Sequence, residues 1–154
     1  MSKAQRNPTP IRSAAAQRAA LVEAEAQCKA RGQAWTAPRR KTYELLLAAG
    51  APRTAYDLIA GLKRGAHYVG PPTVYRALDF LVAMGLAHRV ETRKAYVACA
   101  IPVDPHAAAF LICEACGRAD EQPLDLDTLR PDAGGFALRS AIVEIRGTCA
   151  ACSP

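Results

Sequence analysis

Gly70-Pro71-Pro72-Thr73-Val74-Tyr75-Arg76-Ala77-Leu78-Asp79-Phe80-Leu81 is the stretch on which the reading of the fold turns. A glycine and two prolines close a loop, and neither residue type recurs before Gly85. Val74, Leu78 and Leu81 then follow at i, i+4 and i+7, one face of a helix. Thr73, Tyr75 and Arg76 are left on the other face. Two hydrogen-bonding groups and a cation therefore stand at the N-terminal end of a short helix expected over Thr73–Leu81. That end suits insertion into a DNA groove, so Thr73, Tyr75 and Arg76 are candidate DNA contacts.

Upstream, three more helices are expected. Residues 11–31 are rich in alanine, the best helix former, and Gly32 ends them. Thr36 with Pro38 opens a second helix, buried through Tyr43, Leu45, Leu46 and Leu47 and stopped by Gly50. Thr54 and Asp57 have capping-box spacing and start a third, with Tyr56, Leu58, Ile59 and Leu62 as its apolar stripe. His67 lies in the loop before the fourth helix, with a structural role or a backbone contact as its reading. Downstream, strands around Leu86–Val90 and Ala95–Ala98 flank a polar turn, Glu91–Lys94. Three helices, a fourth with a polar end and a hairpin are the order of a winged helix. Arg89, Arg93 and Lys94 on the hairpin are expected near the phosphate backbone.

Charge divides the chain at the same place. Residues 1–97 carry 16 basic and 6 acidic side chains, residues 98–154 carry 4 and 8, and the whole is +6. A basic half attracts a polyanion and an acidic half repels one. No apolar run approaches the 18 residues of a membrane span, and no leader-like apolar segment follows the N-terminal basic residues. A cytoplasmic location with no membrane partner is the expectation.

The acidic half holds Cys113-x-x-Cys116 and Cys149-x-x-Cys152. Without an export signal, disulfides are a poor default. Two knuckles of two thiolates each suit tetrahedral Zn²⁺ in a structural site. An iron–sulfur cluster and a redox pair are the alternatives, both with weaker context. Cys99, His106, His88 and Glu121 remain. One sulfur, two nitrogens and one oxygen from both halves make a reasonable second zinc set. Each also has an ordinary reading, the histidines as packed or surface side chains and Glu121 as a solvated one.

Apolar strand candidates at Ala108–Cys113 and around Phe136–Ile145, with a helix suggested by Leu124, Leu126 and Leu129, give the second half an α/β character. About 50 residues bury both faces of such a sheet poorly, and pairing with a second copy is the economical solution. The fold class is α+β: an N-terminal winged-helix DNA-binding domain followed by a small α/β dimerisation domain. The expected boundaries are 1–17 for a flexible basic tail, 18–99 for the winged helix, 100–106 for a hinge, and 107–154 for the dimerisation domain.

These residues carry a resemblance. Thr36-Ala37-Pro38-Arg39, Ala55-Tyr56-Asp57-Leu58, Pro71 through Leu78, Phe110-Leu111-Ile112-Cys113-x-x-Cys116-Gly117, and Gly135-Phe136-x-Leu138 through the last cysteine pair match one family. From about residue 18 to the C-terminus the chain resembles the ferric uptake regulator family, and within it most closely the zinc-responsive branch. The resemblance implies a homodimeric, metal-dependent repressor that binds a double-stranded operator of inverted-repeat symmetry, and no enzyme. It implies two Zn²⁺ per subunit, a structural one on Cys113, Cys116, Cys149 and Cys152 and a regulatory one on His88, Cys99, His106 and Glu121. It also implies DNA contact through Tyr56 and Arg76. The chain departs from iron-type and peroxide-type members in having one histidine, His106, in the stretch Asp104–Ala109 just before the first cysteine pair, where they have several, and three histidines in all. A nitrogen-rich iron site is hard to build from that, and the soft ligand Cys99 favours zinc. A sensor of another metal or of peroxide, and a zinc-stabilised module that never touches DNA, are the competing functions.

Overall fold

Ser13 accepts a hydrogen bond from the Ala16 N–H at 3.1 Å and so opens the first helix, α1 (Ala14–Ala30). The computed structural model describes residues 13–63, 69–99, 107–125, 135–137 and 141–153. Residues 14–17, placed both in the first helix and inside the tail boundary at 17, are helical because this cap sits ahead of an alanine-rich run. α1 buries only Ala24 and Cys28, so it lies on the surface of its domain.

α2 (Ala37–Ala49) carries Pro38 in its first turn and ends on Gly50 at φ 58°, a left-handed position that glycine takes without a Cβ clash. β1 (Arg53–Thr54) leads into α3 (Ala55–Leu62) through a complete capping box. The Asp57 N–H donates to Thr54 Oγ1 at 3.2 Å, and Asp57 Oδ2 accepts from the Thr54 N–H at 3.1 Å. α4 spans Pro71–Ala83 with Gly70 as its N-cap, two residues earlier than expected. Both prolines fit the first turn, where an amide N–H has no intrahelical partner to lose. Val74, Ala77, Leu78 and Leu81 form its buried face, packed with Tyr43, Leu46 and Leu58.

β2 (Ala87–Val90) and β3 (Ala95–Ala98) form the expected hairpin, joined by a 3₁₀ turn at Glu91–Arg93. β1 adds a third antiparallel strand, in the order β1-β3-β2. Two residues are too few to show a period-2 pattern, so this strand has no signature in the sequence.

The second sheet has the order β5-β4-β6, from β4 (Ala107–Cys113), β5 (Ala119–Leu124) and β6 (Ile142–Gly147). β5 is antiparallel to β4 and β6 is parallel to it. β5 was not legible as a strand. Its sequence ADEQPL is polar and contains Pro123, which an edge strand tolerates. Leu124, taken as the start of a helix, is the last residue of this strand. Leu126 and Leu129 lie outside the described residues, as do residues 1–12, His67, the hinge 100–106 with His106, and Leu138. Phe136 is described but lies in no strand.

Register decides what each face of this sheet does. Phe110 sits opposite Glu121 on one side and Glu144 on the other, so the three form one row on one face. Ala108, Phe110 and Ile112 on that face pack against Val90 and Val97 of the hairpin, and Phe110 is fully buried. Leu111 and Ile145 pair on the opposite face, where they are 42% and 50% exposed. One face thus seats the first domain, and the other exposes the apolar pair Leu111 and Ile145 while Ala107 and Ala109 on it are buried. Among the described residues, no helix is long and apolar enough to cross a membrane.

Candidate metal centres

β4 ends on Cys113, and a turn over Glu114–Cys116 brings the second knuckle residue round to it. The Gly117 N–H closes the turn on the Cys113 carbonyl at 2.9 Å, with Gly117 at φ 77°. The parallel pairing of β6 carries Cys149 and Cys152 to the same edge. The ligand atoms of Cys113, Cys116, Cys149 and Cys152 all lie within 4.8 Å of one another. Cys116 Sγ and Cys149 Sγ are 3.8 Å apart. A tetrahedral Zn²⁺ with Zn–S of about 2.3 Å requires sulfurs separated by about 3.8 Å. The set therefore fits the ion in both donor type and spacing.

The thiols also show why four sulfurs need a cation. N–H groups of Cys116 and then Cys149 hold the Cys113 thiol down at about 6. The Cys149 N–H lies 3.3 Å from that sulfur. Cys152 is pushed up to about 12 by hydrogen bonding with Cys149 and Cys116. Crowded sulfurs share protons because four thiolates repel. A divalent ion replaces those protons, and its binding is tied to folding.

The second cluster is assembled from both domains. His88 is on β2, Cys99 follows β3, and Glu121 is on β5 in the row with Phe110. All three are buried, and their ligand atoms lie within 4.8 Å of one another. His88 Nε2 is 3.2 Å from Glu121 Oε1, without hydrogen-bond alignment. Cys99 Sγ is 3.5 Å from the same oxygen. Tetrahedral zinc with typical bond lengths sets those separations at about 3.4 and 3.6 Å. The Phe110 ring meets the His88 ring edge-on at 5.3 Å and closes one side. Burial, and then the negative charges of Cys99 and Glu121, push the Tyr43 phenol above its ordinary range. The structure thus brings together seven of the eight residues expected as ligands, and His106 lies outside the described residues.

Of the expected DNA contacts, Tyr56 also belongs to the expected apolar stripe of α3, but the buried face there is Ala55, Leu58, Ile59 and Leu62. Tyr56 is 79% exposed and Tyr75 49% exposed; Arg76 is exposed and Thr73 half-buried in the first turn of α4. The hairpin cations Arg89, Arg93 and Lys94 are all exposed, and two of them also have partners within the protein. Arg89 pairs with Glu91 at 3.2 Å, and Arg93 donates to the Cys113 carbonyl at 3.2 Å. A residue the sequence reading missed is Glu144, whose carboxylate accepts from the wing tip at Glu91 and Thr92. A glutamate in an exposed strand has no sequence signal for that role.

Residues 30–131 match the profile of the ferric uptake regulator family. The zinc uptake regulation protein of Escherichia coli is 38% identical over 138 residues, covering 86% of this chain and 80% of that protein. A zinc uptake regulator solved in complex with zinc and DNA superposes with a TM-score of 0.80 at 37% identity, over 88% of this chain and 94% of that one. XcZur is 37% identical in its holo form, with 86% of this chain and 95% of that chain covered and a TM-score of 0.77. Against apo XcZur the TM-score is 0.52, at 35% identity over 88% of this chain and 97% of that one. By this measure the chain is more similar to the holo form of XcZur than to the apo form. A family profile over most of the chain and relatives of this similarity establish that the chain belongs to the ferric uptake regulator family, a family of regulators and not of enzymes.

Proposed function

We propose that this chain is a zinc-dependent transcriptional repressor of zinc-uptake and homeostasis genes, binding an inverted-repeat DNA operator as a homodimer. The observation that carries the reading is the interdomain cluster of His88, Cys99 and Glu121, buried and spaced for zinc. His106 is the fourth ligand of this proposal. Zinc supplies a bond from the wing to the second domain. The chain's own residues do the rest.

His88 and Cys99 bracket the hairpin that supports α4, and Glu121 is rigid on the second sheet. Holding these three together fixes the angle between residues 18–99 and 107–154 across the hinge at 100–106. The open face around Leu111 and Ile145 supports pairing with a second copy, since exposed apolar strand residues of that size call for a partner. Two copies then present two α4 helices at one separation, matched to two half-sites. Tyr56, Thr73, Tyr75 and Arg76 meet the DNA. The four-cysteine site, at the far edge of the second sheet, is structural.

Without the interdomain metal, only a fraction of domain angles is competent, and apparent DNA affinity falls by that fraction. High zinc therefore means operator occupied and the adjoining promoter repressed. Gel-shift titration of an inverted-repeat operator against buffered free zinc tests the reading. Binding that rises with zinc and is lost in Cys99→Ser supports it; equal binding with and without zinc refutes it.

A further inference from the structure

The row Glu121–Phe110–Glu144 crosses the second sheet, and only its Glu121 end belongs to a metal cluster. At the other end Glu144 Oε1 accepts from the Glu91 N–H at 2.6 Å, and Oε2 accepts from the Thr92 N–H at 3.3 Å and from the Thr92 hydroxyl. Three donors of the wing tip converge on one carboxylate. Partial burial would raise its pKa, but the Thr92 hydroxyl and the two N–H groups outweigh it and hold the carboxyl below its ordinary range. The anion is thus the form the wing tip selects. One residue further on, Arg93 donates to the Cys113 carbonyl at 3.2 Å. A Cβ on Gly117 would stand 3.3 Å from Arg93 Nη1, so the glycine leaves room for the guanidinium. Between this anchor and His88 lies Val90, fully buried against Ala108, Phe110 and Ile112.

We propose that Glu144 and Arg93 clasp the wing tip to the second domain and so pre-position His88 for the interdomain metal. The proposal rests on the metal reading of His88, Cys99 and Glu121, and assigns Glu144 as a positioning residue for that site. Within the first domain the hairpin is held through β1, which pairs with Ala95 and Tyr96 beside the turn. The turn itself is tied to the second domain through Glu144. Strands lie about 4.8 Å apart, so Glu121 and Glu144 stand only about 10 Å apart on one rigid surface. With the tip held at Glu144, His88 is already beside Glu121 before a metal arrives. The ordering cost of closing the domains is then met partly by the clasp, and the apparent zinc affinity is higher by the fraction of closed molecules. The clasp also passes through the Cys113 carbonyl, so it joins the structural knuckle to the wing.

The test uses the full-length protein with its first zinc retained. Chelator competition gives the affinity for the second zinc, and amide hydrogen exchange reads the Glu91 and Thr92 N–H groups. Glu144→Ala should weaken the second zinc by about tenfold through a smaller closed fraction, leave the first untouched, and unprotect both amides. Glu144→Gln keeps an acceptor oxygen and should recover part of both losses. Thr92→Ala removes one donor from the other side of the contact, and should weaken the second zinc by about threefold even if Glu144→Ala folds poorly. Unchanged zinc affinity in Glu144→Ala and Thr92→Ala would overturn the clasp, as would unchanged exchange at the two amides. Parent protein that takes up only one zinc would overturn the metal reading instead, and the amide exchange would still report on the clasp.

Discussion

The two cysteine-containing clusters differ in what they join. Cys113, Cys116, Cys149 and Cys152 come from strand ends of one sheet, at its edge, with Cys116 exposed. His88, Cys99 and Glu121 come from two domains and are buried at their seam. A metal on the first closes a fold that β4 and β6 already begin. A metal on the second joins side chains of two domains. Ligand chemistry follows the same division. Four thiolates bind zinc tightly enough to be part of folding, whereas a mixed set with a carboxylate and imidazole binds more reversibly. Position as well as affinity separates a structural site from a regulatory one.

The comparison breaks most visibly at Cys149. Structural zinc in small domains contributes on the order of 10 kcal/mol that is shared with folding. Cys149→Ser is expected to lose the retained zinc, the second sheet and the dimer, seen by metal counting and sedimentation. A Cys149→Ser protein that stays dimeric with full zinc would put the two clusters on an equal footing. Phe110→Ala strikes the packing between the domains. Emptying a fully buried aromatic site costs roughly 3–5 kcal/mol, and thermal melting should show it together with a weaker second zinc.

On DNA, Arg76→Ala should cost about 1–3 kcal/mol if it reads a base, with specificity relaxed at one position. If it meets a phosphate, all sequences weaken alike and the salt slope falls. Operator and scrambled DNA across a salt series distinguish the two. The smallest effect is at Asp57. Hydrogen bonds from the Thr54 hydroxyl and then the Thr54 N–H hold its carboxyl below the usual carboxylate range. A group with a lowered folded pKa stabilises above its unfolded pKa, and that contribution is lost as pH falls through the folded value. The cap of α3 is therefore full at neutral pH and fades in acid. Because Asp57 is exposed, the part removed by Asp57→Asn should be only a few tenths of a kcal/mol, read as a flatter acid limb in the melting temperature.

Most of the fold was legible because its signals are local. Val74, Leu78 and Leu81 show helical period within eight residues, and Thr54 with Asp57 shows a cap within four. The cysteine knuckles are legible for the same reason. β5 was not, since Ala119–Leu124 is a polar edge strand that takes its identity from β4. Nor was the role of Glu144, which depends on a parallel register between distant segments. Spacing alone left His88, Cys99 and Glu121 open; three buried ligand atoms within 4.8 Å arise only when two domains meet. The hydrogen bond from Arg93 to the Cys113 carbonyl was not legible either, since it joins residues of two domains.

The central claim is that the metal at the domain seam controls DNA binding while the four-cysteine metal does not. Cys99→Ser tests it most directly, because it removes a soft ligand with almost no change in volume. Zinc per subunit and operator affinity are measured together, with and without added zinc. The account predicts one zinc retained, an intact dimer, and operator binding that no longer responds to zinc. A Cys99→Ser protein whose operator binding keeps the parent's zinc dependence would contradict it.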